Sequence, residues 1–322
     1  MPFIQDILSC RSVSLVGMEK NTGKTECLNY ILKRLPVDRK KICVTSIGVD
    51  GETTDRVTLT PKPQIVMPVG CFFSTAERYY RDRKLVAELV DLSRESTPLG
   101  PVVTARSLVA GEVMLSGPSS AQALSRWMKG LEHLGIDLTL IDGALSRVSS
   151  ASPAVSEAMI LSTGAALSAH MPTLLMKTAF QVEMIRLPMT MVPENEGVQL
   201  SALGGGILAG ESLEQILGDH PKVIRVVGAL TDRFLKRVLD TSAETEVVVK
   251  DFSRLFLSPE VYRAFQKKGG RITVEQRSRL LAVCVNPTSP TGIRFDSDTL
   301  CGRLSEQIGL PVYDIVKNRY EA

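Results

Sequence analysis

The sequence predicts an α/β fold with a mainly parallel sheet, followed by a second, smaller α/β unit. Three observations carry this expectation. A β-rich run at 12–16 passes through a glycine-bounded loop into a segment with helical periodicity. An apolar run ending at Asp142 reads as a buried strand with an acidic terminus. Beyond residue 223, strand-like and helix-like segments alternate regularly. The chain has 322 residues, and at roughly 100–200 residues per domain this suggests two domains. The expected division is a first α/β domain over 1–175, a linker or hinge over 176–215, and a second α/β domain over 216–322.

Composition narrows the function classes. Thirty-eight Lys and Arg against 35 Asp and Glu leave a formal charge of +3, too small to imply a nucleic-acid or membrane-surface partner. Aromatic residues make up only 5%, which argues against a base-stacking surface. His133, His170 and His220 are scattered, and the six cysteines form no Cys-x-x-Cys pair, so zinc and thiol-redox motifs have no support. Cys27, Cys43 and Cys284 lie in apolar stretches and read as buried hydrophobes. The start of the chain carries Asp6 and no basic region, and no apolar run reaches membrane-spanning length. The expected location is cytoplasmic.

The first informative element is Ser12–Val16 followed by Gly17-Met18-Glu19-Lys20-Asn21-Thr22-Gly23-Lys24-Thr25-Glu26. Leu28, Ile31, Leu32 and Leu35 then recur at helical spacing, and Pro36 stops the pattern. Strand, glycine-bounded loop ending Gly-Lys-Thr, then helix is the layout of a phosphate-binding loop, the P-loop of NTPases. Gly23 lets the backbone approach phosphates, and the N–H groups of 21–25 form an anion nest at the helix start. Lys24 is expected at the β- and γ-phosphates and Thr25 at Mg²⁺. Gly17, Lys20, Asn21, Thr22, Gly23, Lys24, Thr25 and Glu26 are the candidate nucleotide-binding residues. Five residues separate the glycines where four are usual, with Met18 in the usual glycine position. The alternative is a surface loop with a chance Gly-Lys-Thr.

A second strand, Lys41–Gly48, runs into Val49-Asp50-Gly51-Glu52-Thr53-Thr54-Asp55. Loops at the carboxyl ends of parallel strands line the ligand crevice, so Asp50 is a candidate for Mg²⁺ or for positioning a water. Asp-Gly is equally an ordinary turn. Val102–Thr104 and Leu108–Leu115 read as strands, and a helix follows from Ser119 to His133, with Trp127 and His133 expected between helix and sheet. Gly135–Asp142 is an apolar strand ending in Asp, a Walker B pattern whose carboxylate would hold Mg²⁺. The candidate catalytic residues are Lys24, Asp50 and Asp142. The candidate metal ligands are Thr25, Asp50 and Asp142. No Asn-Lys-x-Asp element for guanine is present, which favours ATP over GTP.

In the second half, Gly204–Gly206 suggests a hinge or a tight backbone approach. Expected strands lie at 223–230, 246–250, 271–275, 280–285 and 312–316, and expected helices at 232–239, 259–268 and 298–308. The loop Asn286–Gly292 follows an apolar strand and is either a ligand loop or a proline-rich turn.

The five-residue spacing of the phosphate loop resembles dethiobiotin synthetase and its relatives. The Lys-Asn-Thr-Gly-Lys-Thr core resembles adaptor proteins of molybdenum-cofactor guanylylation, in the branch that includes partition ATPases and metallocentre chaperones. Partition-type members often carry a further lysine where Glu19 stands here, with Lys20 one residue off. Together with Asp142-Gly-Ala-Leu-Ser-Arg147, Ala151-Ser-Pro153 and Ile160–Ala165, the loop resembles the small, ATP-binding subunit of lysine 5,6-aminomutase reactivase. That resemblance implies ATP and Mg²⁺ as cofactors and an ATPase that reactivates a cobalamin-dependent aminomutase. It also implies a protein partner, either the aminomutase or a second reactivase subunit. No Asp-x-His-x-x-Gly element is present, so any cobalamin would belong to the partner. Dimers are common in this branch, which makes a homodimer one expected assembly. The alternative function is an ATP-dependent small-molecule ligase like dethiobiotin synthetase, with Arg106 or Arg147 beside the γ-phosphate.

Overall fold

A computed structural model describes residues 3–48, 64–144, 152–153, 155–203, 206–207, 218, 220–241 and 244–317. It is α/β and divides into two compact units: Met1–Ala179 with Arg279–Ala322, and Phe180–Ser278.

The first unit is built on a nine-stranded sheet. Its strands run, edge to edge, Val312–Asp314, Arg279–Asn286, Ala158–Gly164, Ser12–Gly17, Leu138–Ala144, Ile42–Ser46, Phe72–Ala76, Gly100–Ser107 and Ala87–Thr97. Neighbours are parallel as far as Phe72–Ala76, and the last two strands form an antiparallel hairpin. Ser12–Gly17 lies at the centre and is buried at every position, as expected of a parallel strand covered on both faces. On one face Val13, Leu15, Leu140 and Ile160 pack under Cys27, Leu28 and Ile31 of the helix Lys24–Leu32. On the other, Cys43, Phe72 and Ile141 meet Leu124 and Trp127 of the helix Ala121–Gly130. Leu140 and Ile141 therefore take opposite faces, the two-residue alternation of a strand.

The second unit holds a five-stranded sheet, in the order Gly206–Ile207, Val198–Leu203, Val223–Gly228, Glu246–Val249, Arg271–Val274. All pairs but the first are parallel. Ile224, Val226, Val247, Val249, Ile272 and Val274 face one core. The helices Asp232–Thr241 and Pro259–Lys267 cover it with Phe234, Leu235, Val238, Val261, Tyr262 and Phe265. Ser258 caps the second helix by accepting from the Val261 N–H, with Pro259 in its first turn. Across the opposite face, buried Arg225 donates to the carbonyls of Val192, Pro193 and Glu196 and to Glu275 Oε1 at 2.9 Å.

The domain boundaries differ from the sequence expectation. The strands Arg279–Asn286 and Val312–Asp314, assigned above to a second domain over 216–322, belong to the first sheet. Periodicity identifies a strand but not the sheet it joins. The expected linker over 176–215 contains regular structure: the helix Met171–Ile185, inside which the unit boundary falls, and strands at Val198–Leu203 and Gly206–Ile207. Gly204 and Gly205 lie outside the described residues. The hairpin Ala87–Thr97/Gly100–Ser107 extends the strand expected at Val102–Thr104, and only Gly111–Val113 of the Leu108–Leu115 expectation is strand. Trp127 is buried as expected, but His133 is exposed. The helix ends at Gly130, and the His133 ring lies with Nδ1 2.8 Å from the Gly130 carbonyl oxygen.

Candidate functional site

Parallel neighbours bring the carboxyl ends of several strands together. Leu15 is in register with Asp142, Ser46 with Asp142, Gly17 with Ser162, and Ser162 with Cys284. Loops leaving these ends share one rim of the sheet, the position where ligands bind in open α/β sheets.

The loop after Gly17 is closed by its own polar groups. The Met18 N–H donates to the Ser162 carbonyl at 2.9 Å, and the Thr22 hydroxyl donates to the Glu19 carbonyl at 2.8 Å. Thr22 is 1% exposed, so its hydroxyl is committed to holding the loop's shape. Asn21 takes φ +62° and Gly23 φ +88°, two left-handed residues that turn the chain into the helix Lys24–Leu32. No side chain caps that helix. Its N-terminal end is open to an anion both through its N–H groups and through the helix dipole. Gly17 and Gly23 are buried, Lys24, Thr25 and Glu26 are half-buried, and Lys20 is exposed.

Lys24 Nζ lies 2.9 Å from Asp142 Oδ1, with the side chains 16% and 7% exposed. The backbone of Asp142 is held from the neighbouring strand, its carbonyl accepting from the Ser46 hydroxyl at 3.1 Å and the Ile47 N–H at 3.3 Å. The expected P-loop lysine and Walker B carboxylate therefore meet. Thr25 and Asp142 offer hydroxyl and carboxylate oxygens, the hard donors that suit Mg²⁺. Asp50, with Glu52 and Asp55, lies outside the described residues, as does Arg147. Arg106 is 2.9 Å from Glu88 on the edge hairpin.

The sequence alone leaves the loop after Asn286 undecided. In the structure, a Cβ on Gly23 would lie 2.9 Å from the Asn286 Cβ and 3.2 Å from Ile315 Cδ1, so both residues wall the loop between Gly17 and Lys24. Asn286 is itself well tied. Its carbonyl accepts from the Ala165 N–H at 2.9 Å, and its Oδ1 accepts from the N–H and hydroxyl of Thr288. The signal is an apolar strand, Ala282–Val285, ending in a polar residue before proline. Asp314 accepts from the Ser297 hydroxyl and from the N–H groups of Val316 and Lys317.

A hydrogen bond with Cys27, together with burial, pushes the thiol of Cys284 well above its ordinary range. Burial raises the Cys43 thiol likewise, with Cys71 adding to the effect. These thiols pack the cores against which the site rests. Among the described residues no group of three or more His, Cys, Asp or Glu side chains could hold a metal, and no helix is long and apolar enough to cross a membrane. No protein-family model, curated protein or solved structure matches the chain.

Proposed function

We propose that the chain is a P-loop NTPase that binds ATP with Mg²⁺ at residues 17–26. One observation carries the proposal: Lys24 reaches Asp142 at 2.9 Å across the uncapped start of a helix, at the carboxyl ends of buried parallel strands. A lysine and an aspartate from separate elements, converging at an anion-receptive helix end, suit a polyphosphate and its cation. Lys24 would pair with phosphate oxygens, and the missing side chain of Gly23 lets the loop pack against Asn286 and Ile315. Thr25 and Asp142 would hold Mg²⁺, which neutralises charge developing on the phosphates. Lys20, Asn21, Thr22 and Glu26 shape or flank the same loop. The absence of an Asn-Lys-x-Asp element supports ATP over GTP.

Hydrolysis is proposed to be coupled to a protein partner. The loop and the Asp142 strand resemble those of the reactivase that serves a cobalamin-dependent aminomutase of the lysine 5,6-aminomutase type. Titration calorimetry with ATP and GTP in Mg²⁺, on wild type and Lys24→Ala, tests the nucleotide site. Wild type should favour ATP, and the variant should lose binding. Equal ATP affinity in the two proteins would falsify the assignment. Turnover measured alone, with an aminomutase and with small carboxylic acids tests the coupling. Stimulation by the acids only would replace the chaperone role with a ligase.

A further inference from the structure

We infer, building on the nucleotide proposal, that Ser162 is a positioning residue for the loop between Gly17 and Lys24. Its buried hydroxyl is a donor held in reserve for a loop carbonyl that turns inward when an anion binds.

Ser162 is fully buried near the end of the strand Ala158–Gly164, and its hydroxyl has no hydrogen-bond partner among the described residues. Buried hydroxyls are normally paired, because an unpaired one loses its hydrogen bonds to water and gains none. The neighbouring hydroxyls follow that rule. Thr163, the next residue, shares a hydrogen bond with Thr178 at 2.9 Å, and Ser74 shares one with Thr45. Among the described residues one other buried hydroxyl lacks a partner, that of Thr104 on the strand Gly100–Ser107 of the edge hairpin.

Strand alternation puts Ser162 on the same face as Ile160, which packs under the helix Lys24–Leu32. It is in register with Gly17 on one side and Cys284 on the other. A Cβ on Gly17 would lie 2.9 Å from the Thr22 hydroxyl oxygen and 3.5 Å from Lys24 Cβ, so this row runs beneath the loop and the helix start. Cys284 in turn shares a hydrogen bond with Cys27, in the first turn of that helix. The backbone of Ser162 already holds the loop, its carbonyl accepting from the Met18 N–H at 2.9 Å. The free hydroxyl therefore stands on the loop's floor.

A peptide unit is planar, with its N–H and C=O pointing in opposite directions. An anion at the uncapped helix start draws the N–H groups of the loop toward itself. Each unit that turns its N–H to the anion turns its carbonyl toward the floor, where a buried oxygen needs a donor. The Ser162 hydroxyl supplies that donor by rotating about its own bond, with no movement of the strand. Because this hydrogen bond forms only in the liganded loop, it adds to affinity and not to the stability of the free protein.

The test compares wild type, Ser162→Ala and Thr104→Val on the full chain. Thermal unfolding is followed at Trp127, the one tryptophan, and binding by calorimetry in Mg²⁺ with ATP and with inorganic tripolyphosphate. Ser162→Ala removes an unpaired oxygen and should raise the midpoint of the ligand-free protein by about 2–4 °C. It should nevertheless weaken both ligands by roughly three- to tenfold, and equally, because the hydroxyl acts through the loop and not on the base. Thr104→Val removes the other unpaired hydroxyl and should leave both affinities at the wild-type value. An unchanged or lowered midpoint in Ser162→Ala places a partner on the hydroxyl in the free protein and overturns the reserve role. So does wild-type affinity for both ligands, a loss confined to ATP, or an equal loss in Thr104→Val. Wild type that binds neither ligand removes the nucleotide proposal, and this role with it.

Discussion

Replacing Gly23 with alanine tests the contact that joins the loop Gly17–Lys24 to the strand Arg279–Asn286. Gly23 has φ +88°, where an alanine costs about 1–2 kcal/mol. Its new Cβ would also stand 2.9 Å from the Asn286 Cβ and 3.2 Å from Ile315 Cδ1. Relieving such overlap in a packed site adds about 1–3 kcal/mol. The expected loss is about 2–5 kcal/mol, and at about 2 kcal/mol per molar urea the midpoint falls by roughly 1–2.5 M. Trp127 is the one tryptophan of the chain and is 2% exposed inside the first unit, so its fluorescence follows that unit's unfolding. Gly309→Ala provides the contrast. Its φ is +64° with nothing within 4 Å of the added carbon, so it should cost about 1 kcal/mol from backbone conformation alone. If Gly23→Ala unfolds at the wild-type midpoint, or no earlier than Gly309→Ala, the wall formed by Asn286 and Ile315 is not there.

Two further predictions concern the second unit. Arg225→Leu removes the donors to Val192, Pro193, Glu196 and Glu275 and should cost about 3–5 kcal/mol, with loss of hydrogen-exchange protection across Val192–Gly197. Unchanged exchange there would show that Arg225 does not hold that segment. Burial pushes the Glu246 carboxyl up, but hydrogen bonds from Thr273 and Thr190 and the Arg271 guanidinium outweigh it and hold the group below its ordinary range. The stability this contributes is present above the unfolded-state carboxylate range and is lost as pH falls through the lowered folded value. Acid should therefore loosen the strand Glu246–Val249 in wild type, with a shallower pH dependence in Glu246→Gln. Identical exchange profiles from neutral to acidic pH would refute it.

Much of the architecture is legible in the sequence because its signals are local. Leu28, Ile31 and Leu32 repeat at helical spacing, Pro259 follows the capping Ser258, and the run ending at Asp142 is largely apolar. The candidate site is legible as two separate motifs, and the structure adds that Lys24 and Asp142 touch. What stays hidden depends on the sheet as a whole. The strand Ala87–Thr97 escapes the sequence reading because register shifts between Leu89 and Asp91 and between Leu92 and Ser96 break its alternation. The role of Asn286 is hidden for a different reason. Its own neighbourhood reads as a proline turn, and only pairing of its strand with Ala158–Gly164 brings it to Gly23.

The strand order also carries a consequence for how the chain acquires a ligand-ready loop. Residues 17–26 are made before Phe180–Ser278, yet Asn286 and Ile315 are made after the whole of it. Until then the sheet ends at Ala158–Gly164, with an unpaired parallel edge and the inner side of the loop uncovered. Long-range parallel pairing of this kind is slow and leaves exposed edges while it waits. The intervening unit draws its own sheet from contiguous sequence and can fold during that interval. Completion of the loop then follows synthesis of the intervening unit, so a ligand captured there would select molecules whose segment Arg279–Ile315 has already docked.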